Sequence, residues 1–291
     1  MGHLGNTEGA WLIKRQLFQR RNMRFDDFDK EMRVYEESLD QYILPDMYIA
    51  ARLDGRSFTK LTKEVCRFET PFDVRFRDLM VDTTKALMDC GFRIIYGYTE
   101  SDEISLLFHP KDDTFGRKVR KINTTLSGEA SAAFSLSLGK PATFDCRVIP
   151  LPNMERVIDY FAWRQEDSHR NSLNSWCYWT LRKEGMSKRK ATSQLSGKSV
   201  SYKNELLFQR GINYNDLPTW QRRGVGVYYQ YDEKEGFNPI KKEKETALRR
   251  ELFVDYEIPY GRQYRDFLDL EILSENDADE ITDSIWGNQV L

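Results

Sequence analysis

The sequence predicts an α+β fold, in which a ferredoxin-like βαββαβ domain is followed by a largely helical C-terminal half. Three observations carry this reading. Met47–Leu53 is an apolar, strand-like run ended by Asp54-Gly55, a turn pair. Phe72, Phe76, Leu79, Met80, Thr83 and Leu87 then share one face at the 3.6-residue period. Two short apolar runs, Arg93–Tyr98 and Glu103–Phe108, come next, ahead of a second helix and a further strand.

Taken in order, Pro71 opens the first helix, which runs to Cys90 and is closed by Gly91. Thr99-Glu100-Ser101-Asp102 is the right size for a hairpin between the second and third strands. Thr114–Leu138 reads as one long helix, rich in Ser, Ala and Gly in its later half, so it can lie close against a sheet. Phe144–Leu151 is the fourth strand. After Pro152 the main element is a helix over Met154–Glu184, with shorter helices at Ser187–Leu195 and Lys203–Phe208. Val225–Tyr231 reads as a strand, whereas Lys241–Phe267 mixes patterns and yields no clear element.

Composition bounds the chemistry. The 291 residues are 40% hydrophobic and 31% charged, yet the formal net charge is only −2. Any anionic partner must therefore meet local basic patches rather than a basic whole. The four cysteines, Cys66, Cys90, Cys146 and Cys177, form no CxxC pair, which excludes a zinc ribbon and leaves reduced thiols as the expected state. Three histidines, His3, His109 and His169, do not make a histidine-rich metal site. No uncharged stretch approaches the ~20 residues that a membrane span requires.

Asp54 and Asp102 are the candidate catalytic pair. In a βαββ unit the first and third strands are neighbours, so these residues meet despite lying 48 positions apart. Two facing carboxylates repel, and desolvation worsens the repulsion. A divalent cation removes the penalty, and Mg²⁺ favours oxygen ligands, few carboxylates and substrate phosphates. Two such ions can clamp the attacking and leaving oxygens of a phosphoryl transfer. Glu103 could support the site, although strand alternation points it away from Asp102. Asp-Gly and Ser-Asp pairs are also ordinary turn chemistry.

Recognition adds what spacing does not. Arg52-Leu53-Asp54-Gly55-Arg56-Ser57-Phe58 and Ser101-Asp102-Glu103 resemble the two metal-binding motifs of the tRNA-His guanylyltransferase family. Phe144-Asp145-Cys146-Arg147-Val148, Trp163-Arg164-Gln165-Glu166-Asp167-Ser168-His169 and Lys203-Asn204-Glu205-Leu206-Leu207-Phe208 match in the same order. Asn213-Tyr214-Asn215 and Arg222-Arg223-Gly224 follow, and the similarity runs from about Met47 to Gln230. The resemblance implies a polymerase palm over residues 23–152 and a mostly helical RNA-binding region over 153–270. Residues 1–22 are expected to be an extension, with Met23 opening the domain, and 271–291 an acidic tail.

The same resemblance implies Asp54, the Gly55 carbonyl and Asp102 as ligands of two Mg²⁺ ions. Arg56, Ser57, Phe58, Phe68, Ser101, Lys118 and Lys121 are expected to bind nucleotide, ATP or GTP. Phe68 would lie beside the base, and Lys118 and Lys121, three apart on one helix face, would cradle the triphosphate; a solvated basic face is the bland alternative. For RNA the expected contacts are His169, Asn171, Lys188, Arg189, Lys190, Lys198, Lys203 and Asn204. His169 could instead be a buried, satisfied histidine or a general acid/base near neutral pH. From Arg182 to Lys203 there are seven basic residues and one acidic, with Trp176, Tyr178, Trp179 and Tyr202 interleaved. Trp176 and Trp179 also fit the core of the long helix. The SGKS at Ser196–Ser199 is not a P-loop, because the required Gly is Thr192.

Departures from the family refine the expectation. Where tRNA-His enzymes read HINNLYN, this chain has His169-Arg170-Asn171-Ser172-Leu173-Asn174-Ser175, and a basic position before Pro71 is Thr70. In this it resembles the bacterial and archaeal guanylyltransferase-like proteins, which are 3′–5′ RNA polymerases. Expected, then, is templated repair of 5′-truncated tRNA or another structured RNA, after ATP or GTP activates the 5′ phosphate. The resemblance further implies a homo-oligomer, a tetramer, while the reduced thiols point to a cytoplasmic protein and the short apolar runs to no membrane partner. Rival readings are addition of the extra 5′ G to tRNA-His, a nucleotide cyclase on a palm scaffold, and a non-catalytic RNA-binding protein.

Overall fold

A computed structural model of the chain describes residues 24–238 and 243–273, with side chains described outside 232–249. The expected extension at 1–22 and most of the acidic tail at 271–291 lie outside the described residues. The chain divides into two units, Met1–Tyr42 and Ile43–Leu291. In the first, helix α1 (Phe25–Glu37) carries Phe25, Phe28, Met32 and Tyr35 along one side and buries no residue.

The second unit is built on one antiparallel sheet. Its strands are β1 (Tyr48–Gly55), β2 (Ile94–Glu100), β3 (Glu103–Phe108), β4 (Phe144–Leu151), β5 (Val225–Asn238) and β6 (Glu243–Asp255). Their order is β4-β1-β3-β2-β5-β6. The first four strands realise the expected βαββαβ plan, with β1 between β3 and β4. The C-terminal half is not helical alone, because β5 pairs with β2 and β6 with β5, which widens the sheet to six strands. Strand β6 falls in the stretch that gave no clear element. Its Lys- and Glu-rich start hides the strand pattern from a periodicity reading.

Helices cover both faces. On one face α3 (Val74–Met88) and α4 (Val119–Leu138), with the short α2 (Phe58–Lys60), enclose Ala51, Leu53, Leu87, Ile104, Leu106, Leu126 and Phe134. On the other, the first half of α5 (Met154–Lys183) and α9 (Arg262–Phe267) enclose Ala50, Tyr96, Leu107, Phe161 and Tyr264. The second half of α5 turns to a third core with α6 (Lys188–Leu195) and α7 (Val200–Phe208), around Leu173, Cys177, Leu181, Leu195 and Leu207. The last short helix is α8 (Thr219–Arg223).

Two helix starts differ from the expected ones for local reasons. Pro71 does not open α3; Asp73 does, accepting from the Arg75 backbone N–H at 2.8 Å and the Glu69 N–H at 2.7 Å. The helix expected from Thr114 begins at Val119, because Phe115, Gly116 and Arg117 all have positive φ and interrupt it.

The Arg75 guanidinium, with help from the two N–H groups, holds the Asp73 carboxyl down at about 2. Arg75 itself is largely exposed, so most of the stabilisation comes from the helix cap. Asp73→Ala is expected to cost about 1–2 kcal/mol at pH 7. Because the folded-state pKa lies below the unfolded value, the difference from wild type persists above about pH 4 and shrinks as pH falls towards 2. Urea unfolding across that pH range measures it.

Candidate active site

The end of β1 is fixed from both sides. Asp54 pairs with Glu103 of β3 and with Asp145 of β4. The Gly55 N–H donates to the Asp102 carbonyl at 2.9 Å, and the Arg56 N–H to the Thr143 carbonyl at 2.8 Å. Asp54-Gly55 is thus the last pair of the strand rather than a turn, and the chain turns at Ser57, whose φ is 62°. Ser101-Asp102 is a two-residue turn between β2 and β3, with Ser101 at φ 49°. Gly55 is needed for a packing reason. A Cβ there would sit 2.5 Å from the buried Phe58 ring, which packs against Phe134 and Phe144.

Electrostatics follow from this placement. Burial pushes the Asp102 carboxyl up; the Ser101 hydroxyl, 3.2 Å away, works against that, and Asp54 is near enough to add to the rise. Asp54 faces Arg52, whose Nε lies 3.2 Å from its Oδ2, and Arg147 at 3.7 Å. Glu103 points to the α5 face, where Arg164 Nε and Nη2 grip it at 2.7 Å each. Burial pushes Glu100, at the end of β2, up to about 7, against the lowering effect of the Ser168 hydroxyl.

The donor set suits a hard divalent cation. It consists of two carboxylates and a backbone carbonyl, all oxygens, on the ends of adjacent strands. Among the described residues no group of three or more His, Cys, Asp or Glu converges. Mg²⁺ is commonly bound in this way, with water and substrate phosphate filling its other positions.

Beside this pair opens a cavity of about 200 Å³. Its walls include Phe68, Asp73, Arg77, Glu100, Asp102, Asn171, Trp179 and Trp220. Fully enclosing pockets run to ~300–1,000 Å³, so this one takes one end of a ligand. Phe68 presents its ring beside it, with the Arg75 guanidinium 5.2 Å from the ring centre. Arg77 is clasped between Trp220 at 4.9 Å and Tyr256 at 4.7 Å.

The other sequence-selected residues fall into three groups. Ser101 stands at the β2–β3 turn, and Arg56 and Ser57 are exposed just after β1, while Phe58 is core with only an edge on the cavity. Lys118 and Lys121 are not brought to this end. Lys118 is the N-cap of α4 and only Lys121 lies in the helix, where its Nζ sits 5.6 Å from the Phe115 ring. The α4 start neighbours Met47, through Arg117, at the other end of β1. At ~3.3 Å per residue that is about 20 Å from Asp54. Helical spacing gave their shared face but not the end of the sheet they occupy.

In the helical half, Asn171 lines the cavity and gives its amide to Asp167 at 3.3 Å. His169 is half-buried against Tyr214 and Tyr260, at 5.3 Å from each ring. Lys188, Arg189, Lys190 and Lys198 are exposed, and Lys203 and Asn204 are partly so. Trp176 packs against the third core, as its helical position suggested, but Trp179 lines the cavity. Sequence reasoning missed Glu100, Asp73, Arg77 and Trp220. Of these only Glu100, beside Ser101, carried a signal.

Comparison with known proteins now decides the lineage. A family model described as tRNAHis guanylyltransferase matches residues 29–152, and one described as Thg1 C terminal domain matches 155–258. The chain belongs to the tRNA-His guanylyltransferase family, a family of nucleotidyltransferases that add nucleotides to tRNA in the 3′–5′ direction. It is 34% identical over 225 residues to the tRNA(His) guanylyltransferase of Debaryomyces hansenii, covering 73% of this chain and 84% of that one. A probable tRNA(His) guanylyltransferase of Drosophila melanogaster is 35% identical over 196 residues, 64% of this chain and 68% of the relative.

Solved members of the tRNA-His guanylyltransferase family superpose as well. A bacterial tRNA(HIS) guanylyltransferase (Thg1)-like protein in complex with ATP gives a TM-score of 0.67 at 26% identity, covering 84% of this chain and 99% of that one. A bacterial tRNA(HIS) guanylyltransferase (Thg1)-like protein in complex with GTP gives 0.63 at 26% identity, over 84% and 97%. The tRNA(His) guanylyltransferase of Saccharomyces cerevisiae gives 0.62 at 26% identity, over 74% and 95%. The sheet with its helical cover is therefore the palm-type fold of this family. Among the described residues no helix is long and apolar enough to cross a membrane.

The side chains of Glu103 and Arg164 are 12% and 6% exposed, a buried pair one of whose members cannot be removed cheaply. Arg164→Met is expected to lower stability by about 3 kcal/mol. Glu103→Gln on the same background should recover part of the loss, as read by chemical denaturation.

Proposed function

We propose that this chain extends the 5′ end of truncated tRNA, in the 3′–5′ direction and under the direction of a template, after ATP or GTP activates a 5′ monophosphate. One observation carries the reading. The bond from Gly55 to the Asp102 carbonyl brings two carboxylates to adjacent strand ends beside a cavity sized for one end of a ligand. Solved relatives contain GTP and ATP, which supports nucleotides as substrates. Asp54, the Gly55 carbonyl and Asp102 would hold two Mg²⁺ ions. When bound, these neutralise phosphate charge and lower the pKa of the attacking hydroxyl.

The chain's own groups would do the rest. Phe68 offers a face for a base, backed by Arg75. Ser101 can donate its hydroxyl or N–H to a phosphate oxygen. Lys188, Arg189, Lys190, Lys198 and Lys203, with Asn204, would track the RNA backbone. In the transfer step the 3′-hydroxyl of the incoming nucleotide gives its proton to water as its oxygen bonds to the activated 5′ phosphorus, and the bond to the AMP, GMP or pyrophosphate leaving group breaks. Catalysis is then positioning and charge stabilisation. Lys118 and Lys121 do not reach this site within one chain, so a triphosphate role for them requires the homo-oligomer, a tetramer, that we propose as the working assembly. A cytoplasmic setting belongs to the same reading.

A second reading is addition of the extra 5′ G to tRNA-His, which the names of the curated relatives favour. The chain's Ser172-Leu173-Asn174-Ser175 segment favours the first reading. In α5, Leu173 is buried in the third core, while Asn171, Ser172 and Ser175 line the cavity. A panel of 5′-truncated tRNAs offered each nucleotide in turn separates the two. Templated additions across several tRNAs support repair, and a single G on tRNA-His alone overturns it.

Two outcomes are expected. Asp54→Asn and Asp102→Asn should each reduce extension of labelled truncated tRNA by at least a thousandfold, about 4 kcal/mol of barrier, while the fold stays intact. Survival of wild-type extension in either would refute the assignment. Replacing Lys188, Arg189 and Lys190 together by Gln should lower the slope of log affinity against log salt by about two to three.

A further inference from the structure

Two guanidinium groups and an imidazole meet next to the catalytic cavity with no carboxylate paired to them. Arg222 and Arg223 end α8, and His169 lies across from them on α5. Among the described residues neither arginine makes an ion pair. Arg222 gives its Nε to the Leu217 carbonyl at 2.7 Å and its Nη2 to the Thr219 hydroxyl at 3.4 Å. Arg223 lies over the Tyr260 ring at 4.9 Å, and its buried Nε has no hydrogen-bond partner. The buried Nδ1 of His169 has none either. The nearest acids are committed elsewhere or peripheral: Glu257 takes the Thr219 hydroxyl, and Glu166 is exposed.

Such a cluster is costly as it stands. Burial and mutual repulsion lower the pKa of Arg223, and burial with the two arginines lowers that of His169. The neutral His169 ring is also hydrogen-bonded to the Arg222 backbone, which leaves Nδ1 as a bare lone pair. An unpaired buried guanidinium N–H such as that of Arg223 is rare and calls for a partner. The partner that satisfies a planar guanidinium fork is an oxyanion with several acceptor oxygens, of which phosphate is the biological example, and its charge would draw a proton onto His169 Nδ1 and turn that atom into a donor.

The cluster is also pinned to the catalytic turn. Gly224, at φ +80°, approaches β2 so closely that a Cβ would lie 2.7 Å from the Thr99 carbonyl. The Tyr98 hydroxyl donates to the Arg223 carbonyl at 2.9 Å. Trp220 and Val225 on one side, and Asn171 and Ser172 on the other, bracket the cluster in sequence and line the cavity.

We propose that Arg222, Arg223 and His169 form a phosphate-binding subsite that holds a phosphoryl group of the RNA 5′ end while that end is processed at Asp54 and Asp102. This rests on the RNA reading above and specifies the chemical group recognised. The test is binding of one truncated tRNA carrying a 5′-hydroxyl, a 5′-monophosphate or a 5′-triphosphate, with EDTA present to silence metal sites. Wild type, Arg223→Gln and Arg223→Lys are compared, alongside ATP affinity. Wild type is expected to bind the phosphorylated RNAs about tenfold more tightly than the hydroxyl form. Arg223→Gln should erase that preference, and Arg223→Lys should restore part of it.

An equal loss for all three RNAs would assign the subsite to an internal backbone phosphate, and a loss confined to ATP would assign it to a nucleoside triphosphate; either overturns the 5′-end assignment. Unchanged affinity for every ligand, in variants whose thermal midpoint matches wild type, overturns the subsite altogether. Failure of the broader reading looks different, because wild-type protein would then extend no RNA at all.

Discussion

The pairing of β1 with β3 is the constraint from which the site follows. With Asp54 opposite Glu103, and Gly55 bonded to the Asp102 carbonyl, two residues distant in sequence are held at adjacent strand ends. The same register fixes everything around them by strand alternation. Leu53 goes into the core under α3 and α4, while Arg52, Asp54 and Glu103 go to the α5 side, where Arg164 waits. A slip of one residue would bury Asp54 and expose Leu53. Gly55 then lets the Phe58 ring tuck beneath the strand end and join Phe134 and Phe144.

Helix α5 carries that geometry to the other half of the unit. Its 30 residues extend about 45 Å. The first half is a cover for the sheet, and the second is the spine of a small bundle with α6 and α7. The exposed lysines of that bundle are thereby referred to the strand ends at Asp54 and Asp102 through one continuous element. Strand β5 closes the loop, returning the chain to β2 and pressing Gly224 against Thr99. The cavity lies where these pieces meet, which is why its walls come from the Phe68–Met80 segment, the β2–β3 turn, α5 and α8.

What the sequence revealed depended on the range of the interactions involved. The four palm strands and their helices were readable because their periods are local, and the meeting of Asp54 with Asp102 followed from strand order alone. Lys118 and Lys121 show where such reasoning ends. A shared helix face is a local property, but the end of the sheet that a helix start occupies depends on chain direction through β3 and α4. Strand β6 escaped notice because an edge strand rich in Lys and Glu lacks apolar alternation. Trp220 and Arg77 could not have been paired, since their stacking joins elements 143 residues apart. Phe58 sat at the end of the motif read as metal-binding, and its ring fills the space that Gly55 leaves.

The claim that Asp54 and Asp102 share cations is tested most directly by metal binding rather than turnover. Mn²⁺ can be titrated in the presence of ATP and followed by electron paramagnetic resonance, in wild type, Asp54→Asn, Asp102→Asn and the double variant. Residues that hold the same ions act as one unit. Each single change should therefore abolish the same bound-Mn²⁺ signal, and the double change should remove nothing more. A variant that kept wild-type Mn²⁺ binding, or two losses that simply added, would contradict a shared site.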